Sequence, residues 1–170
     1  SSYEWIDYVA FGGMTNSSGN DGGYADYTSS VATVAVGSTN QITISAGFRS
    51  SSYTEFWAIW IDFNQDGTFD DTEKVVSGSS SSANNLTANV NVPSTATVGS
   101  TRMRVSMKYN AVQTACESFT YGEVEDYTVT ITNSSAFSST VTNKEVTLGN
   151  EKPSSILAYP NPASNFIKVQ

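Results

Sequence analysis

The stretch Thr101–Tyr109 alternates between apolar and polar residues, and this alternation restricts most strongly what the chain can fold into. Successive side chains of an extended strand point to opposite faces, so Met103, Val105 and Met107 would share one face. The residues between them are polar or charged. The pattern therefore predicts a strand with one face in a core and the other toward solvent.

Comparable short runs recur at spacings of about ten residues, and turns rich in Gly and Ser separate them. The composition agrees, since 27 Ser, 20 Thr and 12% aromatic residues favour strands and turns over helices. We predict an all-β fold, a β-sandwich of the jelly-roll or immunoglobulin-like kind with about eight antiparallel strands. The predicted strands are 3–14, 24–27, 31–36, 41–48, 55–63, 74–76, 86–92, 101–109 and 124–131, of which 55–63 is apolar on both faces and is assigned to the centre of a sheet.

The composition changes after the last of these strands. Residues 133–155 are rich in Ser, Thr, Asn, Lys and Glu and contain few aromatic residues, which is typical of a linker. Residues 156–170 read as the opening strand of another module that breaks off at Gln170. We therefore predict a sandwich domain over residues 1–132, a linker over 133–155 and a truncated module over 156–170.

Several absences restrict the chemistry. The chain contains no His, which removes the common imidazole base, the Ser-His-Asp triad and most zinc sites. Its one Cys, Cys116, cannot form an internal disulfide. The net charge of −8 disfavours nucleic acid as a partner, and no apolar run approaches the length of a membrane span. We expect no enzymatic activity, no nucleic-acid binding and no membrane insertion.

An acidic segment directly after the apolar strand carries the strongest chemical motif. Its spacing matches the twelve-residue calcium loop, in which alternate residues direct oxygens at a hard cation and Gly at the sixth position permits a left-handed turn. The sequence thus predicts an inserted Ca²⁺ loop with a structural role, and an acidic turn without an ion is the alternative. The predicted metal ligands are Asp62, Asn64, Asp66, the carbonyl of Thr68, Asp70 and Glu73, with Gly67 at the sixth position.

The segment Gly122–Val129 reads Gly-Glu-Val-Glu-Asp-Tyr-Thr-Val and resembles the signature of the GEVED domain. The segment Trp60–Phe69 is similar to the tryptophan-led acidic loop of that family, and Arg102–Val105 resembles its basic strand. Cys116 lies in Ala-Cys-Glu, which departs from the Pro-Cys-Gly-like stretch of the family. The resemblance implies a non-catalytic accessory domain of a secreted protein from Bacteroidetes or related bacteria, found beside proteases, glycoside hydrolases or adhesins.

The end of the chain has a resemblance of its own. Ala158–Asn165 looks like the start of the C-terminal sorting domain of type IX secretion cargo. This resemblance implies a secreted or cell-surface protein that is exported across an outer membrane. Together with the resemblance to an accessory domain, it leads us to expect a tethered catalytic domain in the full-length protein.

Aromatic residues in or beside the Gly/Ser-rich loops suggest a ligand site. A ring in such a loop is either packed or available to stack on a sugar, and both interpretations stay open. Arg49 beside a flexible Ser-rich segment offers a partner for a carboxylate or sulfate group. The predicted ligand is a polysaccharide, with anionic glycans among the candidates. The predicted ligand-binding residues are Tyr24, Arg49, Tyr53, Tyr109 and Tyr121.

Four further acidic residues, Glu117, Glu123, Glu125 and Asp126, suggest a second site. They could bind a cation or sugar hydroxyls, or they could pair with Arg102, Arg104 and Lys108 in a cross-strand ladder of opposite charge. A glycosidase pair is a third interpretation. Together, the sequence favours a calcium-stabilised carbohydrate-binding or adhesion module, and the alternative is a ligand-free protein-interaction or spacer domain.

Overall fold

Nine strands form the regular structure in the computed structural model, which describes residues 2–134. The predicted linker beyond Ser134 and the predicted sorting module at 156–170 lie outside the described residues. A single turn of 3₁₀ helix, Asp71–Glu73, joins β5 to β6. The strands are β1 Glu4–Phe11, β2 Met14–Asn16, β3 Tyr24–Ala35, β4 Thr39–Phe48, β5 Glu55–Ile61, β6 Lys74–Ser80, β7 Leu86–Asn91, β8 Gly99–Tyr109 and β9 Gly122–Thr132.

The strands form two sheets, which confirms the predicted all-β sandwich class. One sheet has the order β2-β1-β4-β7 and the other the order β3-β9-β8-β5-β6. The prediction that residues 55–63 form the central strand was wrong, because β8 occupies the centre and β5 lies next to the edge strand β6.

One strand pair departs from the predicted antiparallel arrangement. β3 and β9 run parallel, with Tyr24 opposite Val124 and Ala35 opposite Thr132. The predicted strands 24–27 and 31–36 are one continuous strand, interrupted in its pairing by an irregularity between Tyr27 and Val31. Strand β9, which carries the Gly-Glu-Val-Glu-Asp sequence, is consequently held on one side by β3 and on the other by β8.

The core lies between the two sheets and is built from alternate residues of each strand. Met103, Val105 and Met107 of β8 are fully buried, as their alternation predicted. Ile6 of β1 and Ile42 of β4 are buried in the same cluster from the opposite sheet. Each such side chain contributes about 1.5–3 kcal/mol of apolar transfer free energy to folding.

The outer face of β5 is also covered, which explains why its sequence is apolar on both faces. Ala58 and Trp60 are buried there. Gln113 in the segment after β8 donates from Nε2 to the Phe56 carbonyl at 2.9 Å and to the Ser106 carbonyl at 3.0 Å, which fixes that segment over the sheet. Residues 2–134 contain no helical segment that could serve as a membrane span.

Candidate functional site

The predicted calcium loop leaves β5 and is wound around the carboxylate of Asp62. The Asp66 N–H donates to Asp62 Oδ1 at 3.2 Å, and the Gly67 N–H donates to Asp62 Oδ2 at 3.1 Å. The loop needs positive φ at Gln65 (+61°) and at Gly67 (+83°). Gly67 adopts this conformation at low cost because it has no Cβ, which accounts for Gly at the sixth position.

Two further aspartates organise the rest of the loop through short-range bonds. Asp66 Oδ1 accepts from the N–H and the hydroxyl of Thr68, and Asp70 Oδ1 does the same with Thr72. These bonds lower the pKa values of Asp66 and Asp70. Asn64 Nδ2 donates to Asp66 Oδ2 at 2.9 Å. The loop is therefore held in shape by its own oxygens.

Glu73 closes the loop from a buried position. Its Oε1 accepts from the backbone N–H groups of Phe63 and Asn64 at 2.9 and 3.3 Å, and its Oε2 accepts from the Asp70 N–H at 3.3 Å. Asp70 and Glu73 form a capping box around the 3₁₀ turn. Burial raises the pKa of Glu73, and the backbone hydrogen bonds oppose that effect.

The residues of this loop fit a hard cation by the chemistry of their donors. Each predicted ligand supplies an oxygen, in the register that Ca²⁺ loops use. Carboxylates have about four lone-pair sites, so Asp62 keeps two sites free after accepting its two N–H groups and Glu73 keeps one. The ion would be held by Asp62, Asn64, Asp66, the Thr68 carbonyl, Asp70 and Glu73.

Strand β9 points its two glutamates into the sandwich. Glu123 and Glu125 are both 0% exposed. Glu123 Oε2 accepts from the Ile6 N–H of the opposite sheet at 2.8 Å, and Glu123 Oε1 accepts from the Asp21 N–H at 3.0 Å. Glu125 Oε2 accepts from the Tyr127 hydroxyl at 2.7 Å. Burial raises the pKa values of both glutamates, to about 7 for Glu125.

The other two members of the predicted second acidic site lie elsewhere. Asp126 points to the opposite side of β9 and accepts two bonds of 2.7 Å from Arg104. Glu117 lies in the segment between β8 and β9, where it pairs with Lys108. The structure therefore does not bring Glu117, Glu123, Glu125 and Asp126 together. The prediction that Glu123 and Glu125 belong to a cross-strand charge ladder was wrong, because both side chains face the core.

A different acidic group forms around the glutamates of β9. Asp21, in the loop between β2 and β3, joins Glu123 and Glu125, and one oxygen of each lies within 4.8 Å of the others. Across residues 2–134 no other group of three acidic or Cys residues meets this criterion, and the Asp62–Glu73 loop does not. The spacing of two residues between Glu123 and Glu125 predicts that they share one face of a strand. Nothing in the sequence indicates that Asp21 lies beside them.

Four tyrosines from separate segments form a groove at one end of the sandwich. Tyr3, Tyr53, Tyr109 and Tyr121 line it together with Glu4, and we call it the tyrosine groove. Its volume is about 280 Å³. The rings meet edge to face, with centroids 6.0 Å apart for Tyr3 and Tyr121, 5.6 Å for Tyr53 and Tyr109, and 6.2 Å for Tyr109 and Tyr121. Tyr3 is 48% exposed, Tyr109 41% and Tyr121 48%.

Two buried glutamates lie at the same end of the sandwich. Glu4 on β1 lines the tyrosine groove and is almost fully buried. Glu55 on β5 is paired with Tyr109 on β8, and neither of its carboxylate oxygens has a hydrogen-bond partner. Burial and the nearby charge of Glu4 raise the pKa of Glu55 to about 7. Both glutamates occupy positions of apolar strands that face the core. An acidic residue at such a position is a feature that can be read from the sequence.

The structure separates the five predicted ligand-binding residues. Tyr53, Tyr109 and Tyr121 meet in the tyrosine groove, where Tyr3 had not been predicted. Arg49 is exposed beside it, and its N–H donates to the Tyr3 carbonyl at 2.9 Å. Tyr24 lies away from the groove, is 54% exposed and donates its hydroxyl to Asp126 at 3.2 Å.

A cavity of about 790 Å³ lies beside the acidic loop. Arg102 and Arg104 line it, and both contact Asp126, which offsets their charge. Phe69 from the loop lies over the Arg104 guanidinium, 5.4 Å from ring centroid to Cζ. The cavity therefore offers an anionic ligand less positive charge than its two arginines suggest.

These features define a two-sheet β-sandwich with an acidic loop after β5 and a Gly-Glu-Val-Glu-Asp strand next to the central strand of its larger sheet. Residues 56–130 match the model of the GEVED domain. The match begins in β5, includes the acidic loop and extends through most of β9. We found no match among curated proteins.

Proposed function

We propose that this protein is a non-catalytic, calcium-stabilised carbohydrate-binding or adhesion module. It would belong to a secreted or cell-surface protein that carries a tethered catalytic domain. The observation that carries the proposal is the tyrosine groove, since three of its four rings remain 41–48% exposed although each contacts another ring. Exposed aromatic clusters of this kind mark binding surfaces.

The groove suits a carbohydrate in its shape and its chemistry. A tyrosine offers a flat apolar face for the C–H groups of a sugar and a hydroxyl for its polar edge. A volume of about 280 Å³ is at the small end of ligand sites, which suits a short piece of a chain. Contacts this limited support affinities in the micromolar to millimolar range, which multivalent presentation would increase.

The buried glutamates bear on which glycan would bind. Glu4 lines the groove, so a carboxylated or sulfated sugar would bring its negative charge close to a carboxylate. Sugar hydroxyls donate hydrogen bonds to carboxylates and carry no such penalty. Neutral polysaccharides are therefore the favoured partners at this groove, ahead of the anionic ones.

Affinity electrophoresis against neutral, carboxylated and sulfated glycans tests the proposal. We expect retardation by a neutral glycan that is lost in Tyr109→Ala and in Tyr121→Ala. Tyr24→Ala is the matched control, because Tyr24 is the most exposed tyrosine of the described residues but lies outside the groove. Retardation that persists in both groove variants would place binding elsewhere.

Two outcomes would favour other functions. If no glycan retards the protein in the presence of calcium, the ligand-free interaction or spacer domain becomes the better interpretation. Release of reducing sugar from a retarding glycan, abolished by Glu55→Gln, would instead show that Glu4 and Glu55 act as a glycosidase pair. The burial of Glu55 argues against that role, because no substrate reaches a fully buried carboxyl group.

A further inference from the structure

The three carboxylates of Asp21, Glu123 and Glu125 have a geometry that a single ion would satisfy. Their closest oxygens lie within 4.8 Å of one another. Two oxygens bound to the same Ca²⁺ at about 2.4 Å each can be up to twice that distance apart. The three oxygens are thus close enough for one cation to bind all of them with at most small adjustments of the side chains.

The negative charge of this group has no cationic partner among the described residues. None of the four ion pairs within residues 2–134 includes Asp21, Glu123 or Glu125. Two of the three carboxylates are 0% exposed, so water does not offset their repulsion. Buried charges in proteins are ordinarily paired or bound to metal.

One oxygen of the group also lacks a hydrogen bond. Glu125 Oε1 is buried without a partner, while Oε2 of the same carboxylate accepts from Tyr127. The Ser18 hydroxyl lies close enough to Glu125 to lower its pKa by hydrogen bonding, and it also donates to the Ile6 carbonyl at 3.0 Å. A buried carboxylate oxygen without a partner destabilises the folded state, because it has lost its hydrogen bonds to water. Binding to a metal ion would replace those lost interactions.

From these observations we infer that Asp21, Glu123 and Glu125 form a second cation site, specific for Ca²⁺ and distinct from the Asp62–Glu73 loop. The donors are all oxygens, which selects a hard cation over zinc or copper. Mg²⁺ fits less well, because it requires near-ideal octahedral geometry while hydrogen bonds to Ile6, Asp21 and Tyr127 hold the two glutamates in place.

The ion would join parts of the chain that are distant in sequence. Asp21 belongs to the loop after β2, and both glutamates belong to β9, which pairs with β3. Asp21 is the most exposed of the three ligands, so the ion would approach through that loop. Binding would order the loop against β9, a role independent of any glycan at the tyrosine groove.

Calcium titration of the full 170-residue chain by calorimetry tests this inference. We expect Glu73→Gln to retain one calcium ion that Asp21→Asn or Glu125→Gln removes in the same background. Glu55→Gln is the matched control, because Glu55 is also a fully buried glutamate with a pKa of about 7 but lies outside the group. Asp21→Asn guards against misfolding, since Asp21 is less buried than Glu125.

Thermal stability supplies a second readout. If the site binds calcium, Glu125→Gln is at least as stable as the parent protein when both are measured in chelator. The Glu73→Gln variant keeps a calcium-induced rise in Tm, and adding Glu125→Gln to it removes most of that rise. Equal calcium binding by Asp21→Asn, Glu125→Gln and the parent protein would overturn the inference. Loss of all calcium binding on Glu73→Gln would also overturn it, while leaving the proposed loop site intact.

Discussion

Arg104 on β8 forms a bidentate ion pair with Asp126 on β9, with hydrogen bonds from Nε to Oδ1 and from Nη2 to Oδ2 that are each 2.7 Å long. Asp126 is fully buried, and the Arg104 Nη1 group also donates to the Ala115 carbonyl at 2.8 Å. The pair therefore ties the last residue of the Gly-Glu-Val-Glu-Asp motif to the central strand and to the segment that follows it. The same hydrogen bonds raise the pKa of Arg104.

Loss of this pair should destabilise the domain strongly. We expect Asp126→Asn to lower the free energy of unfolding by about 3 kcal/mol, because it leaves the Arg104 charge partly buried without its counterion. Arg104→Lys should cost roughly 1–2 kcal/mol, since an ammonium group cannot make the two-pronged contact. Arg102→Lys is the control, because Arg102 is half-exposed and 3.8 Å from Asp126. Urea unfolding measures all three, and equal costs for Arg102→Lys and Arg104→Lys would contradict the argument.

Calcium should stabilise the domain through the Asp62–Glu73 loop. At a calcium concentration of about one hundred times the dissociation constant, mass action adds roughly 2.7 kcal/mol to the free energy of unfolding. Glu73→Gln should remove the loop's share of this gain, and Asp71→Asn should not, because the Asp71 side chain lies in the same loop at 98% exposure and outside the ligand pattern. Melting curves with calcium, magnesium and chelator are the measurement. Identical curves in calcium and in chelator would rule the site out.

Glu55 should make stability depend on pH between about 4.5 and 7. Its pKa is about 7 in the folded protein and near its ordinary value of 4.5 when unfolded. The folded state keeps the proton over this interval while the unfolded state releases it, so stability falls as pH rises through it. The loss amounts to roughly 3 kcal/mol. Chemical denaturation in chelator should show that Glu55→Gln is more stable than the parent protein at pH 8 but not at pH 4.

Glu117 provides a control of opposite sign for this pH experiment. Its hydrogen bonds to Lys108 and Thr114 lower its pKa, so its contribution is present above its unfolded pKa and is lost as pH falls. Glu117→Gln should therefore reduce stability at neutral pH and have little effect in acid. A Glu55→Gln variant that behaved in the same way as Glu117→Gln would show that Glu55 is ionised in the folded protein.

Gly122 should tolerate no side chain. It has a φ of +116°, and a Cβ added there would lie 2.0 Å from the Met107 carbonyl oxygen. We expect Gly122→Ala to cost more than about 3 kcal/mol, because both the backbone and the neighbouring strand must shift. Gly78→Ala on β6 is the matched control, with open space around its Cβ and no positive φ. Thermal unfolding compares the two, and comparable melting temperatures would refute this explanation for the first residue of the motif.

Strand parity was the part of the fold that the sequence could predict. The alternation of Met103, Val105 and Met107 identified the buried face of β8, because period two is intrinsic to an extended chain. The same reasoning placed Glu123 and Glu125 on one face but could not say which one. Carboxylates usually face solvent, and at Glu123 that preference is overridden by backbone N–H groups of Ile6 and Asp21, about one hundred residues away.

The tyrosine groove shows the same limit. Tyr53, Tyr109 and Tyr121 were predicted because each lies in or beside a loop, which is a local property of the sequence. Tyr3 joins them through the pairing of β1 with β4 and through its contact with Tyr121, which are tertiary facts. Likewise, nothing local predicts that β3 and β9 run parallel, because the connection between them passes through both sheets.

The parallel pairing of β3 with β9 also sets the order in which the domain can fold. Tyr24 pairs with Val124, so the segment between them includes most of the residues that the structure describes. Because a contact between residues so distant in sequence has a high loop-closure entropy, we expect slow folding. A nascent chain must wait for residue 132 before its larger sheet is complete. Until then β3 and β8 are open edges, and the growing polypeptide is exposed to aggregation during this interval of synthesis.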